Sequence, residues 1–189
     1  MAQKRKDWNG LISGFKASDL VFLDESGCNT DMTRRYADSL GGSRAVDSAP
    51  LSKPKNTTIL SSIQLDGTLR YTTFSGGTTV ERFKRYLETD LLPHLNGNSV
   101  LIMDNMKSHH AKAVKNLLDS SGVRYIYLPP YSPDLNPIEK LWSKVKSFLR
   151  KFKARTLDAL LNAIQCAFQT VSPSDCSGWF HSCGYSPYF

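Results

Sequence analysis

The stretch Val21-Phe-Leu-Asp-Glu25 is a short run of apolar residues that ends abruptly in acids. Its β-branched, aromatic and aliphatic side chains over residues 20–23 predict a buried strand. A second run of the same kind, Leu101-Ile-Met-Asp-Asn105, predicts a strand over residues 100–103. If these two strands are neighbours in one sheet, Asp24 and Asp104 lie side by side at its edge.

A third stretch, Tyr131-Ser-Pro-Asp-Leu-Asn-Pro-Ile-Glu139, places an acid at the start of a helix. It is rich in turn residues, and its last proline suits the first helical position. At about 100° per residue, Glu139 shares its helix face with Lys146, Arg150 and Lys153. That face predicts a phosphate-binding track, and an ordinary solvated charge run is the alternative. The apolar stripe of the same helix consists of Ile138, Leu141, Val145, Phe148, Leu149 and Phe152.

The rest of the pattern predicts a mixed α/β fold. Hairpin-like strands come first, with a tight turn at Leu65-Asp-Gly-Thr68, and later strands alternate with helices. This order is typical of a mixed sheet with helices packed on its faces. Further strands are predicted at residues 30–36, 57–65, 69–74 and 123–128, and further helices from residue 78 or 79 to 92 and at 110–121 and 156–171.

Length and charge narrow the possible functions. The 189 residues are enough for one domain with a proper core. Lys and Arg number 24 against 17 Asp and Glu, and the net charge of +7 favours a polyanionic partner such as nucleic acid. On charge alone, a generic soluble basic surface is an equal alternative. No apolar run reaches about 18 residues, which argues against a membrane span. The four cysteines form no C-x-x-C pair, and they favour a reducing compartment over a disulfide scaffold.

The three acids together predict a divalent-metal site. Mg²⁺ prefers carboxylate oxygens together with phosphate oxygens of a substrate. Two such ions about 4 Å apart can act on the two sides of a phosphodiester, and three carboxylates serve both ions if one carboxylate bridges them. Each acid alone is typical of an ordinary turn or of the first turn of a helix. Their combination in a basic protein favours the metal site.

Longer motifs in the chain resemble a known family. They are Phe22-Leu-Asp-Glu-Ser-Gly27 with Met32-Thr-Arg-Arg-Tyr36, Met103-Asp-Asn-Met-Lys-Ser-His109 and Leu128-Pro-Pro-Tyr-Ser-Pro-Asp-Leu-Asn-Pro-Ile-Glu139. Between the second and third acids lie 34 residues, from position 105 to position 138. In these motifs and this spacing, the chain resembles the catalytic domain of DDE transposases of the mariner superfamily, in its bacterial insertion-sequence branch.

The resemblance implies a ribonuclease H-like fold, with a mixed five-stranded sheet and helices on both faces. It implies that Asp24, Asp104 and Glu139 are the catalytic residues and hold two Mg²⁺ or Mn²⁺ ions, with Asp24 as the bridging ligand. The implied reaction is hydrolytic cutting at transposon ends, followed by attack of the freed 3′-OH on target DNA. The implied partners are double-stranded DNA, both transposon ends and target, and a second copy of the chain in a synaptic complex. A cytoplasmic, nucleoid-associated bacterial protein is expected.

The resemblance also suggests supporting residues. Asn105 and His109 are expected to support the second carboxylate or to contact DNA, and a turn former and a helix cap are the alternatives. Glu25 and Asp134 are expected to be neighbours of the site, with Asp134 shaping the loop that aims Glu139. Basic side chains expected to contact phosphates or to bind DNA are Arg34, Arg35, Lys55, Lys146, Arg150 and Lys153.

The expected domain organisation is an N-terminal extension (1–19), a ribonuclease H-like catalytic domain (20–172) and a C-terminal tail (173–189). Only about 20 residues precede the first acid, too few for the helix-turn-helix modules that full-length members carry. We therefore expect the second frame of a split gene, a truncated copy or an excised domain. A catalytically silent DNA-binding or regulatory fragment is one alternative function. A nuclease of RNA·DNA hybrids is another, against which the 34-residue spacing argues.

Overall fold

One mixed sheet forms the centre of the protein. The computed structural model describes residues 2–34, 38–46, 48, 50 and 54–185. Its strands are β1 (Leu20–Cys28), β2 (Thr57–Gln64), β3 (Leu69–Ser75), β4 (Val100–Met103) and β5 (Arg124–Tyr127). The strand order across the sheet is β3-β2-β1-β4-β5. The first three strands are antiparallel to one another, whereas β4 runs parallel to β1 and β5 parallel to β4.

Helices cover both faces of the sheet, because side chains along the buried strands point alternately to each face. Phe22 belongs to a core that includes residues of the fourth and fifth helices, and its neighbour Leu23 belongs to a second core with residues of the second and third. None of the described helices is both long and apolar enough to cross a bilayer. The helices are α1 (Ala2–Ile12), α2 (Val80–Tyr86), α3 (Lys112–Ser121), α4 (Ile138–Phe152), α5 (Leu157–Gln169) and α6 (Pro173–Ser182).

The predicted fold class is confirmed, but the predictions for one strand, for the end of β1 and for one residue of α4 were wrong. No strand occupies the described part of residues 30–36, since the Asn29 side chain accepts the N–H of Asp31 in a local turn after β1. β1 itself continues past its first acid to Cys28, because β2 pairs with it beyond the end of β4. Phe152 was placed on the apolar stripe of α4, yet it ends the helix and is 50% exposed.

The predicted tail contains a helix. Ser172 and Asp175 form a reciprocal capping box at the start of α6, with a proline in its first turn. Beyond α6, the Tyr185 hydroxyl donates to the Leu135 carbonyl at 2.6 Å and accepts from Trp8 Nε1 at 3.2 Å. These two hydrogen bonds connect Trp8, through Tyr185, to the loop that leads into α4. The domain boundaries at 19/20 and 172/173 stay a prediction.

Candidate catalytic site

The sheet topology brings the first two predicted acids together. Leu23 of β1 and Met103 of β4 are register partners in a parallel pair, so the next residues, Asp24 and Asp104, come side by side where β4 ends. Asp24 is only 7% exposed, while the side chain of Asp104, just beyond the end of β4, is 37% exposed. The structure thus confirms that the two acid-bearing strands are neighbours.

The Asp24 carboxyl is held by two donors in a buried environment. Its Oδ1 accepts the backbone N–H of Glu25 at 2.7 Å, and its Oδ2 accepts the indole N–H of Trp142 at 3.1 Å. Burial raises the pKa of Asp24 to about 7; the two hydrogen bonds oppose this, and the negative charges of Asp104 and Glu139 add to it. Without a nearby cation, the carboxylate form is therefore disfavoured.

Sequence reasoning missed Trp142, which α4 brings to Asp24 across the core. A signal was present, since Trp142 lies three residues after Glu139 and so nearly one helical turn along from it.

A buried histidine, His109, links Asp104 to Glu25. His109 is fully buried and stacks on Phe83 with 4.2 Å between ring centroids. Its Nδ1 lies 2.8 Å from Asp104 Oδ1, and its Nε2 lies 3.2 Å from Glu25 Oε2. Burial lowers the pKa of His109, but the two carboxylates outweigh it and raise the value to about 9. A pKa of about 9 favours the charged imidazolium between Asp104 and Glu25 at neutral pH.

Asp104 stays ionised more readily than Asp24. Burial favours its neutral form, but the hydrogen bonds from His109 and from the backbone N–H of Met106 prevail and lower its pKa. The link between Glu25 and Asp104 through His109 was also missed, since Glu25 was expected only to be a neighbour. The contact between His109 and Glu25 joins residues that lie 84 positions apart in sequence.

Glu139 lies in the first turn of α4 with its side chain exposed. It lines a cavity of about 730 Å³ together with Asp24 and Asp104. Among the residues that the structure describes, however, no three His, Cys, Asp or Glu side chains are close enough to hold one metal ion. The three acids therefore share a cavity without forming a closed cage.

The cavity fits a hydrated divalent cation shared with a substrate. Two buried acceptor atoms of residues that line it, Glu25 Oε1 and Asn136 Oδ1, have no hydrogen-bond partner within the described part of the chain. Unpaired acceptors and three carboxylates are the oxygen donors that Mg²⁺ uses. Mg²⁺ usually keeps several waters and binds one or two carboxylates plus phosphate oxygens, so an open arrangement suits it better than a cage.

Basic side chains border the carboxylate cavity on one side. Lys146 lines it and also lines an adjoining cavity of about 810 Å³. Arg34 and Arg150 line that second cavity as well, and Gly27 borders both. Three of the six basic residues predicted to contact DNA are thus brought to one place beside the acids.

Two of the other three predicted DNA contacts, Lys55 and Lys153, are not brought there. Lys55 is exposed and lines neither cavity. Lys153 follows the last residue of α4 in a left-handed conformation with φ 53°, so it does not continue the helix face of Lys146. Arg35 lies outside the described residues.

Asn105 lines the carboxylate cavity, whereas Asp134 does not. The Asn105 side-chain amide donates to the Leu128 carbonyl, which ties the segment after β4 to the proline-rich loop before α4. Asp134 is exposed in a short 3₁₀ turn, Pro133–Leu135, and does not line the carboxylate cavity.

The fold and the acid-lined cavity agree with a family comparison. Residues 19–161 match the family described as DDE superfamily endonuclease, and this match covers more than half of the chain. The chain therefore belongs to the DDE superfamily endonucleases.

Two curated relatives are nematode transposases. The Tc1 transposase of Caenorhabditis elegans is 28% identical over 97 residues, which are 49% of this chain and 36% of that protein. The Tcb2 transposase of Caenorhabditis briggsae is 32% identical over 75 residues, which are 40% of this chain and 28% of that protein. The chain thus matches about a third of the length of these relatives. The bacterial insertion-sequence branch stays a prediction.

Solved structures of the Mos1 transposase share the fold. A pre-cleavage Mos1 transpososome superposes with a TM-score of 0.82 at 18% identity, covering 96% of this chain and 58% of that chain. The isolated Mos1 catalytic domain gives a TM-score of 0.72 at 17% identity, covering 95% of this chain and 85% of that chain. The mixed five-stranded sheet is the ribonuclease H-like fold of that domain.

Proposed function

We propose that this chain is the catalytic domain of a transposase, which cuts DNA at transposon ends and joins the freed 3′-OH to target DNA. The observation that carries the proposal is the shared cavity of Asp24, Asp104 and Glu139 beside a basic cavity. Membership of the DDE superfamily endonucleases supports it, as does the similarity to the Tc1 and Tcb2 transposases.

Asp24, Asp104 and Glu139 would hold two Mg²⁺ or Mn²⁺ ions, with Asp24 as the ligand of both. When bound, such ions activate an attacking oxygen and stabilise a leaving oxygen of a phosphodiester. Mos1 paired-end complexes have been solved with Mn and with Mg, which favours these two metals. The ions would also offset the burial that disfavours the Asp24 carboxylate.

The remaining side chains of the site would position the ligands. Trp142 fixes one oxygen of Asp24, and His109 fixes one oxygen of Asp104 while its charge keeps that carboxylate ionised. These contacts orient the carboxylates before a substrate arrives, so binding need not order them.

DNA is the proposed partner. Arg34, Lys146 and Arg150 line the cavity next to the acids, where they would contact phosphates of the bound strand. Binding that depends on such contacts weakens steeply with salt. The solved Mos1 relatives include a paired-end complex with a transposon end, and we propose that two copies of this chain likewise act together on double-stranded ends and target.

A cutting assay tests the proposal. Duplex DNA bearing the element's terminal repeats is incubated with the protein and Mg²⁺, Mn²⁺ or EDTA, and nicked strands are counted on a denaturing gel. Cutting is expected with either metal and not with EDTA. It should be lost in Asp24→Asn, Asp104→Asn and Glu139→Gln. Asp134→Asn is the matched control, because this exposed acid precedes the same helix and does not line the cavity.

Three results would count against the proposal or against one of its assignments. Full cutting by any of the three carboxylate variants would refute the assignment of that acid. Cutting of RNA·DNA hybrids but not of duplex DNA would favour a different nuclease of the same fold. If the protein binds DNA but never cuts it, even when fused to a module that recognises the ends, the regulatory alternative is correct.

A further inference from the structure

Tyr131 combines an exposed aromatic ring with an unusual backbone. Its side chain is 90% exposed, and its φ of 56° lies in the left-handed region that bulky residues rarely adopt. Within the described residues, Lys153 is the only other non-glycine residue with a positive φ. Tyr131 also lines the same cavity as Asp24, Asp104 and Glu139. An aromatic ring stabilises a fold mainly when it is buried, and the Tyr131 ring is not buried.

The surrounding loop holds Tyr131 in this position. Pro129 and Pro130 precede it and Pro133 follows it, and each proline fixes its own φ. Before the loop, the backbone N–H of Leu128 donates to the Met103 carbonyl at the end of β4, at 2.8 Å. The exposed ring is therefore presented by an anchored segment at the edge of the carboxylate cavity.

The backbone alone does not explain a tyrosine at this position. Glycine adopts a positive φ without strain, and asparagine tolerates it, so either residue would form the same turn more easily. Strained residues that the surroundings enforce occur preferentially at functional sites. The conformation of the turn therefore does not explain the tyrosine, and its aromatic ring requires a separate explanation.

A nucleobase is the partner that the ring fits. Every base has a flat π-face, and aromatic side chains bind unpaired bases by stacking. Resting on the function proposed above, a DNA phosphate at the carboxylates brings its own nucleoside or the next one to the edge of the cavity. We propose that Tyr131 stacks on a base that is unpaired or displaced from the duplex beside the phosphodiester to be cut. The tyrosine is a DNA-positioning residue and takes no part in the bond changes.

Fluorescence of 2-aminopurine tests the stacking directly. The probe is a duplex with a single-stranded 3′ overhang, in which 2-aminopurine replaces one overhang base at a time. Measurements are made without divalent metal and again with Ca²⁺. Wild type and Tyr131→Phe should quench the fluorescence at one overhang position at least. Tyr131→Ala should not quench there, and should bind that DNA about 5- to 150-fold more weakly.

Two further variants separate stacking from folding. Phe152→Ala removes a half-exposed aromatic ring that does not line the carboxylate cavity, and it should quench like wild type. Tyr131→Gly removes the ring and relieves the backbone, so it should melt no lower than wild type yet fail to quench. Quenching by Tyr131→Ala or Tyr131→Gly that equals wild type at every position would overturn the proposal.

Cutting by the wild type, measured in parallel, keeps the two proposals distinguishable. If the wild type cuts DNA with Mg²⁺ and quenching does not depend on Tyr131, the stacking role is refuted and the function stands. If quenching depends on Tyr131 but no DNA is cut, even by the protein fused to a module that recognises the ends, the stacking role stands and the cutting function is refuted.

Discussion

Replacing Asp24 with asparagine should change the stability of the metal-free protein in opposite directions at low and high pH. The raised pKa means that the folded protein holds the Asp24 proton more tightly than the unfolded chain does. As pH rises from about 4 to about 7, the unfolded chain therefore loses this proton first, and the free energy of unfolding of the wild type falls. Because asparagine does not titrate, the free energy of unfolding of Asp24→Asn does not fall in this way.

The size of the effect follows from the pKa and from the contacts. A rise from 3.8 to about 7 is worth about 4 kcal/mol, at about 1.4 kcal/mol per pH unit. Asparagine has one acceptor oxygen, so it leaves either Glu25 N–H or Trp142 Nε1–H unmatched, at a cost of about 1–3 kcal/mol at every pH. Asp24→Asn should thus be less stable than wild type near pH 4 and more stable near pH 8.

Urea unfolding in EDTA at pH 4, 6 and 8 measures the free energy of unfolding of both proteins. Asp134→Asn is the control, and its stability should change with pH as that of the wild type does. The difference between Asp24→Asn and wild type should shift by about 4 kcal/mol across the range. Mg²⁺ should stabilise the wild type at pH 8 and leave Asp24→Asn unchanged, because a ligand stabilises the state that binds it. Stability differences that stay constant with pH would refute the reasoning.

Three further substitutions test other contacts, each by urea unfolding. His109→Ala leaves two carboxylates without their buried partner and should cost about 3–5 kcal/mol at pH 7; a loss no larger than that of the exposed His94→Ala would contradict this. Gly67→Ala places a Cβ 2.9 Å from Pro173 Cα at a φ of +90° and should cost about 1–3 kcal/mol; unchanged stability would show that the turn relaxes freely. Asp175 has its pKa lowered to about 2 by its lysine partner and the α6 cap, so Asp175→Asn should cost about 1 kcal/mol above pH 4. That cost should vanish as pH falls through about 2, and a pH-independent cost would contradict the assignment.

The sequence predicted the placement of the acids because local patterns determine it. An apolar run followed by Asp identified each strand, although only β4 ends at its acid and β1 continues to Cys28. The positions of Asp24 and Asp104 then required one assumption, that their strands are neighbours. Glu139 follows from a proline-rich turn and a helix start. The mixed sheet follows from hairpin strands succeeded by alternating strands and helices.

The contacts that hold the acids could not be predicted in the same way. The hydrogen bond from Trp142 to Asp24 spans 118 positions, and the pair of His109 with Glu25 spans 84. Such contacts depend on how α4 and the segment after β4 pack on the sheet, which no local pattern records. The missed helix α6 is different, since Ser172-Pro-Ser-Asp175 carries a capping-box signal in the sequence itself.

The exposed position of Glu139 allows the most direct test of the central claim. Glu139→Gln keeps the size of a side chain that lies on the surface of α4, so the variant should unfold at the same urea concentration as wild type. The decisive measurement is the rate of Mg²⁺-dependent cutting of terminal-repeat DNA by these two proteins. We predict cutting by the wild type and none above the EDTA background by Glu139→Gln. Equal rates from two equally stable proteins would contradict the account.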